Sequence, residues 1–327
     1  MACDGAGSHT RQYEEADRYN GQGSSPAELS GLRSGRGPLK DVHARLLTRY
    51  EECLGLWGLG RTLAEELPRS GRLNRGILVV RSADMSEASY RLAVAVESLH
   101  RASVIRDDIQ DDDKVRRQLP ALHARIGVAR ALAVADVMLS RSLRTFDEFA
   151  DPRAMRLAVR CYERMARGQA LDVGGVLLAR GTSLSDAARE KTGSLVALAF
   201  GVGAVCAGLD DQAVNARMGI GEDLGTYFQL CNDVRNVTVD EGRGNFGSDL
   251  RLGRHSSVAV ALRKSQVDVR SVEETALRQA VVDVQMEANL MLERALSRAS
   301  TIDLPRDLLE VLSGDLHHIV SDQEAPL

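Results

Sequence analysis

Residues 105–113 read Ile-Arg-Asp-Asp-Ile-Gln-Asp-Asp-Asp, with carboxylates at Asp107, Asp108, Asp111, Asp112 and Asp113. On a helix turning 100° per residue, Asp107 and Asp111 fall about 40° apart, and Ser103, His100 and Val96 extend their stripe toward the N-terminus. Two carboxylates therefore point the same way from the end of an otherwise apolar face. Hard cations prefer oxygen ligands, and magnesium is commonly held by one or two carboxylates together with the phosphates of a substrate. Acids closing a helix also oppose its dipole, which a bound counter-ion would relieve. Lys114, Arg116 and Arg117 follow at once, then Pro120 and His123. A pair of guanidiniums is suited to bidentate contacts with phosphate oxygens. Carboxylates for a metal followed closely by paired arginines match the needs of a diphosphate, whose charge metal and guanidinium can share.

The elements that carry these residues read as helices. No proline occurs between Pro152 and Pro305, and Ala, Leu, Arg and Glu dominate that interval while β-branched alternation is scarce. With 44% hydrophobic and 27% charged residues the composition is globular, and the class is all-α. Residues 1–40 are rich in Ser, Gly, Arg and Glu without a sustained apolar period, and read as a disordered tail. Breaks are expected at 68–76, 112–120, 151–152, 180–185, 208–211, 241–253 and 300–305. The aromatic fraction is 4%, so the core must be packed with Ala, Leu and Val. The uncharged run 193–209 holds four Gly and four Ala and reads as a buried core helix; no membrane span is expected. A net charge of −4 provides no general attraction to nucleic acid. The five cysteines share no metal-type spacing and the N-terminus lacks the order of a signal peptide, so the expected address is cytoplasmic.

From Asp107 to His123 the order of aspartates, arginine pair, proline and histidine resembles the trans-prenyl diphosphate synthases, the polyprenyl synthetase family. Gly168-Gln169-Ala170-Leu171-Asp172, Lys191-Thr192, Leu224-Gly225, Phe228-Gln229, Asn232-Asp233 and Gly247-Ser248-Asp249 to Arg254 extend the resemblance over about residues 60 to 265. It implies one large helical bundle of isoprenoid synthase type over residues 41–327, ten or more helices around a central cavity, in a homodimer. It further implies that Asp107, Asp108 and Asp111 hold Mg2+, three ions per site, against an allylic prenyl diphosphate, and that Arg116, Lys191 and Gln229 contact that diphosphate. Thr192 and Arg254 join the same site. For isopentenyl diphosphate the resemblance points to Arg72, Arg75, His100 and Arg117. Arg72 stands where lysine is usual and Leu73 where arginine is usual. Arg106 stands where a second histidine is common.

The second acidic motif departs from the family. In place of an aspartate-rich sequence the chain has Asn232-Asp233-Val234-Arg235-Asn236, continuing to Asp240. Asn232, Asn236 and Asp240 fall on one helical face and are the expected ligands of a third ion, held weakly because an amide oxygen brings no charge. The same trio resembles the Asn, Ser/Thr, Glu triad of class I terpene cyclases, so cyclisation of a prenyl diphosphate is the alternative to elongation, and a catalytically weak partner subunit a further one. Both chemistries begin by ionising an allylic carbon–oxygen bond. Cyclases commonly hold later cations against aromatic faces. The central helices offer only Tyr90, Phe146, Phe149, Tyr162, Phe200, Tyr227 and Phe228, which favours elongation. In this family the residues four and five before the first aspartate floor the product tunnel. Here they are the small Ser103 and Ala102, which points to a geranylgeranyl-type product or slightly longer.

Overall fold

The computed structural model describes residues 39–63, 73–116, 119–174, 183–239, 247–251, 254, 256–268 and 272–302. Among these, thirteen α-helical segments and one π turn run α1 (Leu39–Leu56), α2 (Gly60–Leu63), α3 (Asn74–Ser82), α4 (Glu87–Gln110), α5 (Leu122–Ile126), α6 (Val128–Asp147), α7 (Arg153–Gly174), α8 (Asp186–Ala188), the π turn Arg189–Gly193, α9 (Ser194–Cys206), α10 (Asp211–Thr238), α11 (Ser248–Arg251), α12 (Ser257–Lys264) and α13 (Glu274–Ala299). The only strands among the described residues are β1 (Val115–Arg116) and β2 (Leu119–Pro120), an antiparallel ribbon pairing Val115 with Pro120 and Arg116 with Leu119. It forms within the expected break at 112–120.

Two helices form the middle. Every residue of α9 from Ser194 to Val205 is buried, and α4 is buried without interruption from Leu92 to Leu99. The 193–209 run is thus a core helix, and no described helix is long and apolar enough to cross a membrane. α9 packs on α10, α3 and α7, while α4 packs on α3 and α6. α10 belongs to two apolar clusters. Val214, Ile220 and Leu224 join the main core, and Tyr227, Leu230, Val234 and Val237 join a second cluster built with α12 and α13. The largest rings of the core are Tyr90, Phe146 and Phe200, so most of the packing falls to Ala, Val and Leu as the composition requires.

Helix starts follow their caps. Ser86 accepts from Ser89 N at the head of α4, Asp210 from Ala213 N at the head of α10 and Ser256 from Ala259 N at the head of α12. The head of α3 is capped from a distance. Gly76 N donates to Glu97 Oε1 at 2.7 Å, so a buried carboxylate of α4 fixes the turn that carries Arg75. Elements and expectation differ in several places. α1 begins at Leu39 rather than Asp41, α3 begins inside the expected 68–76 break, further breaks fall at 57–59 and at Gly127, and α12 ends at Lys264 with Gln266 at φ 58°, where neither Gly nor Pro marks a turn. Residues 1–38 lie outside the described residues. The described cysteines Cys53, Cys161, Cys206 and Cys231 are unpaired thiols.

α13 is tied to α10 by charge. Asp223, with no exposed side-chain surface, lies 2.8 Å from Arg298 Nη1, 3.7 Å from Arg294 Nη2 and 4.0 Å from Arg189 Nη1. Removing the acid would leave a buried gap and take a partner from three part-exposed guanidiniums. Asp223→Ala is expected to destabilise the protein by about 1 kcal/mol, read by denaturant unfolding.

Candidate functional site

The acidic end of α4, the inner face of α7, the π turn, the C-terminal half of α10 and the segment around Arg254 enclose one cavity of about 1140 Å³. That exceeds a typical single-ligand pocket. Seven carboxylates line it (Glu97, Asp107, Asp111, Asp113, Asp172, Asp233, Asp249), matched by seven cations (Arg75, Arg101, Arg106, Arg116, Lys191, Arg235, Arg254).

The helix stripe read from the sequence is present. Asp107 and Asp111 both line the cavity, as do Ser103 and His100. Asp108 turns aside. It is buried and accepts from Arg116 Nε at 2.8 Å, so the ribbon's arginine is paired with the second aspartate while still lining the cavity. Burial raises the carboxyl pKa of Asp107 and of Asp108, and pushes Asp111 up to about 6 against the pull of Lys191 and Arg254.

Lys191 is placed by an unusual backbone. The π turn spends one extra residue, which lets the consecutive Lys191 and Thr192 both line the cavity. Two glycines grip the turn. A Cβ on Gly168 of α7 would lie 2.6 Å from Lys191 N, and one on Gly225 of α10 would lie 2.9 Å from Thr192 O. Lys191 Nζ then sits 2.9 Å from Asp172 Oδ2 and 3.5 Å from Asp107 Oδ2. Burial opposes its charge, but Asp107 and Asp172 outweigh that and hold the ammonium well above the usual lysine value.

Thr192 Oγ1 donates to Gln229 Oε1 at 2.8 Å, and Gln229 Nε2 donates to Asp233 Oδ1 at 2.8 Å. Asp233 Oδ2 in turn accepts from Ser257 N at 2.8 Å and Ser257 Oγ at 2.7 Å. The chain of bonds anchors the threonine hydroxyl to the head of α12. Arg254 straps the mouth, donating to Asp111 O at 2.8 Å and Asp113 Oδ1 at 2.9 Å, with Asp249 Oδ1 at 3.5 Å. Deeper in, Arg75 Nη1 lies 3.1 Å from His100 Nε2.

Asn232 and Asn236 line the same cavity, and so does Arg235, whose direction the sequence left open. Arg106 is ion-paired with Asp136 of α6, which accounts for a cation at that position. Ala102 is fully buried in the core and does not line the cavity, so Ser103 alone carries the expected floor. Arg72, Arg117 and Asp240 lie outside the described residues. Sequence reasoning left out Asp172 and Asp249 as site residues. Asp172 follows Gln169 by one helical turn and so shares its face, a usable signal; Asp249 sits in the four-residue α11, too short for periodicity to mark. Gln169 also lines the cavity, buried.

Among the described residues no three His, Cys, Asp or Glu side chains converge closely enough to hold an ion unaided. Asp107 and Asp111 nevertheless fit a hard cation that completes its shell with phosphate oxygens and water. The rings at the cavity are Tyr50, Tyr162 and Phe228. Tyr90, Phe146, Phe200 and Tyr227 are spent on packing.

The family model "Polyprenyl synthetase" matches residues 59–293. A geranylgeranyl diphosphate synthase of Sulfolobus acidocaldarius is 28% identical over 206 residues, 58% of this chain and 62% of that protein. A geranylfarnesyl diphosphate synthase of Natronomonas pharaonis is 30% identical over 232 residues, 66% of this chain and 64% of that protein. The match thus spans less than two thirds of either relative. The solved heptaprenyl diphosphate synthase of Staphylococcus aureus superposes with a TM-score of 0.74 at 19% identity, covering 88% of this chain and 99% of that one, a likeness of fold.

Burying these acids has a measurable cost. Asp111 and Asp249 are both raised to about 6, Asp249 by burial and by nearby Asp233. A carboxyl whose folded pKa lies above its unfolded value takes stability away above the folded pKa, and the loss disappears as pH falls below the unfolded one. Asp111→Asn and Asp249→Asn should therefore each stabilise the metal-free protein at pH 7.5, on the order of 1–2 kcal/mol. The gain should shrink toward pH 4, as followed by thermal melts across that range.

Proposed function

We propose that this chain, which belongs to the polyprenyl synthetase family, is a prenyltransferase that condenses an allylic prenyl diphosphate with isopentenyl diphosphate. The observation that carries elongation is a second basic site in the same cavity. Arg75, in the first turn of α3, and His100, on α4 two turns before Asp107, lie 3.1 Å apart. An enzyme that only cyclises one diphosphate has no use for them, and three rings are few for guiding a cation through cyclisation.

In this reading Asp107 and Asp111 orient the allylic diphosphate at the mouth. Magnesium, when bound, neutralises the leaving diphosphate as a Lewis acid. Three ions are implied by the family resemblance, and the third would have to take neutral oxygens from Asn232 and Asn236. Lys191 presents its ammonium to the leaving oxygens as the allylic carbon–oxygen bond breaks. Thr192 Oγ1 donates its hydrogen bond to Gln229 Oε1, which leaves the oxygen's lone pairs available to stabilise the allylic cation. Arg75 and His100 hold isopentenyl diphosphate so that its double bond attacks that cation. The released diphosphate removes a proton to restore a double bond. Arg254 closes the mouth over the site and keeps water out. The same reading carries a cytoplasmic homodimer.

Ser103 sets the product length. It lies one turn below Asp107 on the cavity side, and its small size leaves room for a chain of geranylgeranyl type or slightly longer. Ser103→Phe should shorten the product distribution, measured by chromatography of dephosphorylated products; an unchanged distribution sinks the tunnel assignment. Asp107→Ala should lower turnover by about 100-fold or more with farnesyl diphosphate, isopentenyl diphosphate and magnesium. The decisive assay compares the unaltered protein with and without isopentenyl diphosphate. A longer diphosphate formed only with it supports elongation, whereas a hydrocarbon or alcohol formed without it favours the cyclase.

A further inference from the structure

Asn232, Arg235, Asn236 and Val239 succeed one another along the last turns of α10 and its cap, and all four line the cavity. Among its described residues this wall offers a divalent cation little, and Asp240, the third expected ligand, lies outside them, past the end of α10 at Thr238. Both asparagines are neutral donors, and Asn236 Oδ1 already faces Asp249 N at 3.4 Å. The intervening carboxylate is committed elsewhere, since both oxygens of Asp233 accept from Ser257 or Gln229. The carboxylate wall of α4 is the opposite case, with Asp107 and Asp111 on one stripe.

A hard cation ranks charged oxygens above amide oxygens. A guanidinium needs no metal to meet phosphate, because its planar fork donates two parallel hydrogen bonds to a pair of phosphate oxygens. Arg235 sits between the two asparagines and brings the only formal positive charge within this stretch of α10. Without it the described lining would hold seven carboxylates against six cations, a repulsive surround for an anion.

We infer that α10 grips the diphosphate directly through Arg235, in place of a metal ion held by Asn232 and Asn236. The inference rests on the reading of this cavity as a diphosphate site. The site is thereby two-faced: metal-mediated on the α4 side and guanidinium-mediated on the α10 side.

The test uses the full chain, inorganic pyrophosphate and manganese as a paramagnetic stand-in for magnesium, and needs no turnover. Free manganese is counted by electron paramagnetic resonance and pyrophosphate affinity is read by calorimetry. With saturating pyrophosphate the unaltered chain should bind about two manganese ions or fewer. Arg235→Gln should weaken pyrophosphate roughly thirtyfold, Arg235→Lys should recover part of that, and Arg278→Gln on the exposed face of α13 should change nothing. Three ions per chain, or equal affinity in Arg235→Gln, overturns the inference while leaving the prenyltransferase reading in place. The metal count is made on the unaltered protein, so it decides even if a variant misfolds. An unaltered protein that binds no pyrophosphate with manganese overturns both.

Discussion

One ammonium group between two part-buried carboxylates holds the site in register. Lys191 reaches Asp172 on α7 and Asp107 on α4 from the turn that precedes α9, so three separate parts of the bundle meet at one charge. Two carboxylates out of water repel each other and lose hydration. The cation between them offsets both penalties, and the more so because surrounding helices keep water away. If the turn moved by an ångström, the acids would face each other unscreened. The packing of that turn is therefore as much a part of the site as the side chains.

That packing explains why the core is built from small residues. α7 and α10 approach the turn so closely that a methyl group at Gly168 or Gly225 would strike its backbone. α9, which continues from the turn, is buried on all sides and consists largely of Ala, Val and Gly. Bulky rings in α9 or at its neighbours would hold the helices apart and pull Lys191 away from Asp107. The scarcity of aromatic residues follows from close helix contact around the lysine, and only three rings are left to line the cavity.

The fold was legible where local chemistry decides it. The long Pro-free interval and the apolar 193–209 run gave the helices, and the 100° rotation per residue put Asp107 and Asp111 on one face. What the sequence concealed was made by long-range contact. Nothing local marks Glu97 as the cap of α3, since it lies 21 positions beyond the Gly76 amide it accepts from. Nothing local turns Asp108 toward Arg116, or brings Asp249 of the short α11 to the mouth. The π turn is equally silent, because Arg-Glu-Lys-Thr-Gly reads as ordinary helix until Gly168 and Gly225 press on it. The break at Gln266 carries a positive φ in a residue with no preference for it.

The pairing of Asp108 with Arg116 bears on how the proposed elongation is divided between the two ends of the cavity. A guanidinium engaged with a buried carboxylate is fixed in direction but keeps donors to spare, since it carries five N–H groups. Arg116 can therefore stay with Asp108 and still present N–H bonds to an anion at the mouth. Arg75 and His100 are joined differently: Arg75 Nη1 donates to His100 Nε2 at 3.1 Å, which fixes both groups on the cavity wall. The mouth is thus organised in advance, with its charges already balanced. In the proposed elongation that basic pair would meet the second diphosphate, since the first is held at the mouth.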